Sequence, residues 1–225
     1  MKILIDSADL DKIKELYEYY PICGVTTNPS ILLRNGKDAA ETLKQLKTFC
    51  GQQELHVQVI GETCAEYLAD AKAIIEVLGK DTYIKIPAYK EGFKAMKILS
   101  EQGARITATA IYYPGQALIA SKIGVDYIAP YFNRICKQGY DGLKVLETMQ
   151  RIINDTPTKI LAASFKTLDQ VCDVADLQVE AMTLPVSIFE QLEEMAEVDK
   201  TIKAFNEDFY TLTGTHSSLK DVLKT

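Results

Sequence analysis

Lys85 is the residue of this sequence whose surroundings are hardest to explain by structure alone. It lies in TYIKIP (82–87), where Tyr83, Lys85 and Pro87 share one face of a predicted strand and isoleucines occupy the other. A lysine seldom stays buried unless it is paired or its charge is suppressed. A neutral amine can attack a ketone and form a Schiff base. A structural ion pair with Asp6 is the alternative explanation.

Polar residues that could support such chemistry occur in or just after most of the other predicted strands. They are Asp6, Thr26, Thr27, Asn28, Gln58, Thr107, Thr109, Tyr131, Arg134, Ser164 and Lys166. A protonated imine withdraws electrons, so a neighbouring C–C bond can break or form, and this needs a proton shuttle to a substrate hydroxyl. Tyr131, with Gln58 and Thr109 holding a water molecule, is our candidate for that shuttle. This chemistry requires neither a metal nor a nucleotide.

Most of these residues also have an ordinary structural explanation. Asp6, with Ser7, could cap the first helix. The others could serve as a helix start (Thr26 to Asn28), a core hydrogen bond (Gln58), strand formers (Thr107 and Thr109) or solvated loop charges (Arg134 and Lys166).

Eight short β-rich runs alternate with amphipathic helical patterns along the chain. The runs are KILID (2–6), CGVTT (23–27), LHVQVI (55–60), TYIKIP (82–87), ARITATA (104–110), YIAPY (127–131), KILAAS (159–164) and AMTL (181–184). Eight βα units imply an α/β fold with a parallel sheet, either an open doubly wound sheet or a closed (β/α)8 TIM barrel. The number and length of the strands favour the barrel, in which functional residues gather where the strands end.

A single domain over residues 1–225 is predicted, because no linker or change of composition interrupts the sequence. After residue 185 the pattern becomes purely helical and adds a C-terminal helix to the barrel. The segment from about residue 197 carries Phe205, Phe209 and Tyr210 with no strand after it. This segment is either the last barrel helix with a frayed tail or a surface that contacts a neighbouring subunit.

The composition argues against several functional classes. A formal net charge of −6 does not suit a general nucleic-acid surface, and no apolar run is long enough to cross a membrane. Five cysteines without a C-x-x-C pair, and an N-terminus unlike a signal peptide, predict a reduced cytoplasmic protein. His56 and His216 lie far apart and no glycine-rich nucleotide loop occurs, so we expect neither a metal nor a cofactor.

Five stretches together resemble the small transaldolase and fructose-6-phosphate aldolase family. They are GVTTNPSIL (24–32), YIKIPAYKEG (83–92), TATAIYYPGQAL (107–118), APYFNRI (129–135) and LAASFKT (161–167), and the likeness runs from LIDSAD (4–9) to about Phe209. The resemblance implies a (β/α)8 barrel with the Schiff-base lysine on strand four, at Lys85. It also implies homo-oligomeric rings, pentamers that can pair into decamers, in which the C-terminal helix crosses to a neighbour.

The resemblance further implies a sugar-phosphate site at the strand ends. Its positions for substrate hydroxyls and the pocket wall match Asp6, Asn28 and Thr26, and its phosphate positions match Arg134 and Ser164, with Lys166 close enough to assist. An arginine fork beside a hydroxyl suits a phosphate monoester.

Two branches of this family differ in their chemistry. Transaldolases transfer a dihydroxyacetone unit between sugar phosphates, and Glu in strand three and Phe before the R-I motif are typical of them. The aldolase branch releases free dihydroxyacetone and has Gln and Tyr there, as Gln58 and Tyr131 do here. Four residues differ from those that this family usually has at the same positions: Tyr89, Thr107, Cys136 and Lys137. These positions bear on which acceptor aldehyde is preferred.

We therefore expect a class I aldolase that reversibly cleaves fructose 6-phosphate. The alternatives are a transaldolase that uses erythrose 4-phosphate as acceptor and a catalytically silent barrel that binds sugar phosphates or serves as a scaffold.

Overall fold

Eight parallel strands close into a barrel in the computed structural model, which describes residues 1–224. The strands are β1 (Lys2–Asp6), β2 (Ile22–Thr26), β3 (Glu54–Gln58), β4 (Tyr83–Pro87), β5 (Ile106–Ile111), β6 (Tyr127–Pro130), β7 (Lys159–Ala162) and β8 (Ala181–Leu184). Each strand pairs with the next in sequence, and β8 pairs with β1. The predicted (β/α)8 barrel is confirmed, and the open sheet is wrong.

Helices follow every strand. They are α1 (Leu10–Tyr19), α2 (Pro29–Asn35), α3 (Ala39–Cys50), α4 (Cys64–Leu78), α5 (Lys90–Glu101), α6 (Pro114–Ile123), α7 (Phe132–Lys137), α8 (Gly142–Ile153), α9 (Leu168–Asp176) and α10 (Val186–Glu193). The short helices α2 and α7 begin where β2 and β6 end, so they carry residues of the βα loops close to the mouth of the barrel.

Local hydrogen bonds decide which strand-end residues are helix caps. Asp9 caps α1, because its carboxylate accepts the backbone N–H groups of Asp11 and Lys12. The explanation of Asp6 as that cap is therefore wrong. Asn28 does cap α2, since its Oδ1 accepts the N–H of Ile31 at 3.1 Å.

The interior of the barrel changes from apolar to polar toward the ends of the strands. Leu4, Tyr83, Tyr127, Leu161 and Ala181 form a small hydrophobic cluster of their own, separate from the larger one between strands and helices. Polar residues further along the strands are also almost completely buried: Thr26, His56, Lys85, Thr107, Thr109 and Thr183. Buried polar groups need partners or a function, so this layer is where a site is expected.

The barrel unit ends at Phe189, and the chain from Glu190 on forms a second compact unit. That unit contains α11 (Ala196–Thr213) and α12 (Leu219–Val222). Val198, Ile202, Phe205 and Leu212 are exposed on α11. Contact of this segment with a neighbouring subunit stays a prediction. Within residues 1–224, no helix is both long and apolar enough to cross a membrane.

Glu54 connects several side chains inside the barrel. Its carboxylate accepts hydrogen bonds from Lys2 Nζ at 2.5 Å and from the Tyr127 hydroxyl at 3.1 Å, and it lies 3.3 Å from Nε2 of His56. Burial alone would raise the pKa of this carboxyl, but the hydrogen bonds from His56 and Lys2 outweigh it and lower the pKa to about 2. Glu54 therefore stabilises the fold as an anion.

We expect Glu54→Gln to lower the free energy of unfolding at pH 7 by about 2 kcal/mol, because charged hydrogen bonds are lost. A carboxyl whose pKa is lowered by folding loses its contribution as the pH falls from about 4.5 to about 2. Urea unfolding at both ends of this range measures the effect, with exposed Glu18→Gln as control. An equal difference at both ends would contradict this role.

Candidate active site

A pocket of about 520 Å³ opens at the end of the barrel where the strands end. The predicted site residues that line it are Asp6, Asn28, Gln58, Lys85, Tyr131, Arg134, Ser164 and Lys166. Four predicted residues do not line it: Thr26, Thr27, Thr107 and Thr109. The hydroxyls of Thr26, Thr107 and Thr109 hydrogen-bond other side chains, whereas Thr27 contributes its backbone carbonyl to Lys85. The barrel thus brings most of the predicted residues together because each follows a different strand.

Lys85 is buried at the base of this pocket. Its side chain is 4% exposed, and Nζ donates a hydrogen bond to the carbonyl oxygen of Thr27 at 3.1 Å. The salt bridges among residues 1–224 include none to Lys85, so the ion pair with Asp6 does not form. Burial lowers the pKa of the Lys85 amine, and the nearby charge of Asp6 offsets this only in part. The amine is therefore biased toward its neutral, nucleophilic form.

Asp6 is held in place by threonines at the ends of β2 and β8. Thr26 Oγ1 donates to Asp6 Oδ1 at 2.6 Å and lies 2.6 Å from Thr183 Oγ1. Since Thr26 uses its proton on Asp6, the hydroxyl of Thr183 is the donor in the second contact. Thr26 thus supports the carboxylate, and the second oxygen of Asp6 makes no hydrogen bond within residues 1–224.

Tyr131 and Arg134 form one unit at the end of β6. Tyr131 precedes α7 and Arg134 lies three residues later, so both face the same side of that helix. The guanidinium lies over the Tyr131 ring, with Cζ 4.7 Å from the ring centroid, and Arg134 Nη1 lies 3.4 Å from the Tyr112 hydroxyl. The hydroxyl of Tyr131 hydrogen-bonds Thr109 Oγ1 at 2.9 Å. A phenol fixed in this way can exchange protons with a bound substrate.

Gln58 pairs in register with Lys85 on the neighbouring strand β4. Its Oε1 is buried and accepts no hydrogen bond from any of the residues described. A buried acceptor without a partner costs free energy, so its persistence at a pocket points to a ligand contact.

Positive charge dominates the pocket although the whole chain is acidic. Besides Lys85, the pocket is lined by four cationic residues and one carboxylate, Asp6. The cations are Arg34, Arg134, Lys137 and Lys166. A concave surface of one charge sign attracts ligands of the opposite sign, so the pocket favours an anionic substrate.

The backbone is strained on one side of the pocket. Ser164 has φ of +69° and Ala110 has φ of +55°, both in the left-handed region that favours glycine. The carbonyl of Ser164 accepts the N–H of Asn133 at 3.0 Å, which ties this turn to α7. Strain of this kind concentrates at functional sites, and here both strained residues line the pocket.

Sequence reasoning missed Arg34, Tyr112, Asn133 and Lys137, which also line the pocket. The predicted residues lie in or just after strands, whereas Arg34 lies at the far end of α2. Lys137 lies three residues after Arg134, and this spacing would have placed both on one face of α7 had that short helix been predicted.

Comparison with known proteins gives one consistent result. The sequence pattern of the Transaldolase/Fructose-6-phosphate aldolase family matches residues 3–224. A probable fructose-6-phosphate aldolase of Streptococcus pneumoniae is 36% identical over 221 residues, which cover 96% of this chain and 100% of that protein. A probable transaldolase of Brachyspira hyodysenteriae is 32% identical over 217 residues, 95% of this chain and 100% of that protein. A probable transaldolase of Clostridium acetobutylicum is 32% identical over 211 residues, 93% of this chain and 97% of that protein.

Proposed function

Since this chain belongs to the transaldolase/fructose-6-phosphate aldolase family, we propose that it is a class I aldolase for fructose 6-phosphate. It cleaves this sugar reversibly to dihydroxyacetone and glyceraldehyde 3-phosphate through a Schiff base on Lys85. The observation that carries the proposal is the buried Lys85 amine without a carboxylate partner, at the base of a cationic pocket.

The proposed reaction starts at the C2 carbonyl of the open-chain sugar. The neutral Lys85 amine adds to C2, and loss of water leaves a protonated imine. A base takes the proton of the C4 hydroxyl, the C3–C4 bond breaks, and its electron pair forms an enamine while the aldehyde leaves. Protonation of the enamine carbon and hydrolysis of the imine release dihydroxyacetone and restore Lys85. Tyr131, with a water held by Gln58 and Thr109, carries the protons.

Hydrogen bonds already present narrow the roles of the binding residues. Asn28 Oδ1 is used to cap α2, so the amide group of Asn28 is left to donate to a substrate hydroxyl. Asp6 uses one oxygen on Thr26 and keeps the other as an acceptor for a hydroxyl. Arg134 and Ser164, with Lys166 beside them, receive the phosphate.

Transaldolase activity is the second candidate, because two of the relatives carry the name probable transaldolase. The hydroxyl of Tyr131 favours the aldolase, since a phenol can protonate and so discharge the enamine. The test is to incubate the protein with fructose 6-phosphate, with and without erythrose 4-phosphate. Free dihydroxyacetone without an acceptor supports the aldolase. Fast formation of sedoheptulose 7-phosphate without such release would overturn it.

Arg134→Met is expected to raise KM for fructose 6-phosphate about 10- to 100-fold, the loss expected when a charged hydrogen bond is removed. Aldol addition of dihydroxyacetone to unphosphorylated glyceraldehyde should change much less, because that acceptor has no phosphate. Steady-state kinetics of fructose 6-phosphate cleavage and of dihydroxyacetone addition to glyceraldehyde measure the difference. Lys137→Met, which removes a nearby rim charge, is the matched comparison and should cost about fivefold or less. Equal losses in the cleavage of fructose 6-phosphate and in the addition to glyceraldehyde would exclude a phosphate role for Arg134.

A further inference from the structure

A buried chain of three polar side chains lies inside the barrel and has no part in the mechanism above. His56 Nδ1 lies 2.9 Å from Thr107 Oγ1, and His56 Nε2 lies 3.3 Å from Glu54 Oε2. His56 and Thr107 are both fully buried, and the imidazole stacks on the Tyr83 ring at 4.4 Å. This chain therefore has a fixed geometry with both imidazole nitrogens occupied.

The direction of these hydrogen bonds follows from the charge of Glu54. An ionised carboxylate only accepts, so Nε2 of His56 carries the hydrogen. Burial lowers the pKa of His56, and the nearby Lys85 charge lowers it further, against the opposing effect of Glu54. In the neutral ring Nδ1 is then an acceptor, and the Thr107 hydroxyl donates a hydrogen bond to it.

The side chain of Lys85 passes over the hydrogen-bonded residues His56 and Thr107 on its way to the carbonyl of Thr27. Lys85 pairs in register with Thr107 on one side and with Gln58 on the other. Its Nζ reaches the carbonyl of Thr27, just beyond the end of β2, and β3 lies between β2 and β4. The lysine side chain therefore crosses the inward face of β3, where His56 and Gln58 are successive inward residues.

We propose that His56 is a positioning residue for Lys85. His56 is held between Glu54 and Thr107, so it presents an uncharged polar surface beneath the lysine side chain. This surface fixes the conformation in which Lys85 extends toward the pocket. His56 touches no substrate in this account. The inference rests on the proposed Schiff-base role of Lys85 and adds to it a reason for the buried Thr107, a position at which this chain departs from the family's usual pattern.

The charged and titratable groups around Glu54, His56 and Thr107 determine how a substitution there would affect the protonation of Lys85. The negative charge of Asp6, on β1, acts on Lys85. His56 in turn senses Glu54, Lys85 and Asp126. The phenols of Tyr83 and Tyr127 pack against its ring. Apolar groups in place of His56 and Thr107 would leave the amine of Lys85 less solvated, so its protonation would require a lower pH.

Four variants separate the positioning role from effects on stability. Thr107→Val removes the hydroxyl and leaves Nδ1 of His56 without a donor, whereas Thr107→Ser keeps the bond. The double variant His56→Phe with Thr107→Val replaces both partners by apolar groups, so no buried imidazole nitrogen is left unpaired. It also removes the hydrogen bond from His56 to Glu54, which keeps its bonds from Lys2 and Tyr127. Thr158→Val is the control, because Thr158 is an equally buried threonine bonded to the Val125 carbonyl.

The readout is the rate at which borohydride traps dihydroxyacetone on Lys85, measured across pH. We expect Thr107→Val and the double variant to be trapped about tenfold more slowly at pH 7, since small displacements of a reacting group cost this much or more. The pH dependence of trapping in the double variant should move to lower pH. Thr107→Ser and Thr158→Val should behave as the parent protein does. Unchanged rates and pH dependence in both valine-containing variants would overturn the positioning role.

A titration of the Lys85 amine by NMR with isotope-labelled lysine needs no carbonyl substrate and separates the two proposals. The role of His56 is supported if the titration midpoint of Lys85 is lower in the double variant than in the parent protein and is unchanged in Thr107→Ser. This holds even if the parent protein traps no dihydroxyacetone. In that case only the aldolase proposal fails. An unchanged midpoint in the double variant would overturn the inference about His56 while leaving the Schiff base intact.

Discussion

Replacing Lys85 with methionine is expected to lower kcat/KM for fructose 6-phosphate by at least about 10,000-fold, the scale of losses seen when a catalytic nucleophile is removed. Methionine fills a similar volume but cannot form an imine. Lys85→Arg should be equally inactive, because a guanidinium keeps the charge and is not a nucleophile. Steady-state release of dihydroxyacetone measures the loss, and exposed Lys80→Met is the control for general effects of removing a lysine.

The same substitution should leave the fold intact or make it more stable at pH 7. The pKa of Lys85 is lowered by burial from its ordinary value of 10.5, so below that pH the unfolded chain binds the proton more readily than the folded one. Lys85→Met removes this cost, so the free energy of unfolding should rise at pH 7. The increase should become smaller as the pH rises toward 10.5. A variant that retains activity within about tenfold of the parent protein would contradict the nucleophile assignment.

Tyr131→Phe is expected to lower the rate of fructose 6-phosphate cleavage about 100-fold or more, because a positioned proton donor is lost. The ring remains, so the stacking of Arg134 and the binding of phosphate should persist and KM should change little. Transfer of the dihydroxyacetone unit to erythrose 4-phosphate should suffer less, since transfer needs no protonation of the enamine carbon. The measurement is the ratio of released dihydroxyacetone to transferred product.

Tyr112→Phe is the matched control, because it removes a hydroxyl near Arg134 from the same pocket. We expect it to change cleavage and transfer alike and only slightly. Thr109→Val, which removes the hydrogen-bond partner of Tyr131, should give an intermediate loss. Equal effects of Tyr131→Phe and Tyr112→Phe would mean that the Tyr131 hydroxyl transfers no proton.

The barrel could be predicted from the sequence because eight strand patterns alternate with helical ones, and such a repeat has few solutions. The short helices α2 and α7 could not be predicted with the same ease. Helices of this length are not stable alone and depend on tertiary contacts. This matters for function, since α2 carries Arg34 and α7 carries Arg134 and Lys137 at the pocket.

The site could be predicted where a residue stands at a strand end, as Asp6, Asn28 and Tyr131 do. The prediction was less informative for the threonines, because residues that face the same way along a strand lie at different depths in the barrel. Thr107 faces inward beside Lys85, yet its hydroxyl bonds His56 below the pocket. Sequence spacing gives the face of a strand, but depth depends on the register between strands, which only the folded barrel fixes.

Borohydride trapping with dihydroxyacetone tests the central claim most directly. The protein is incubated with dihydroxyacetone, the imine is reduced, and intact mass and peptide mapping locate the adduct. We predict one reduced three-carbon adduct for each chain, on the peptide that contains Lys85, and none in Lys85→Met. No adduct, or an adduct on Lys137 or Lys166 with Lys85 unmodified, would contradict the Schiff-base mechanism.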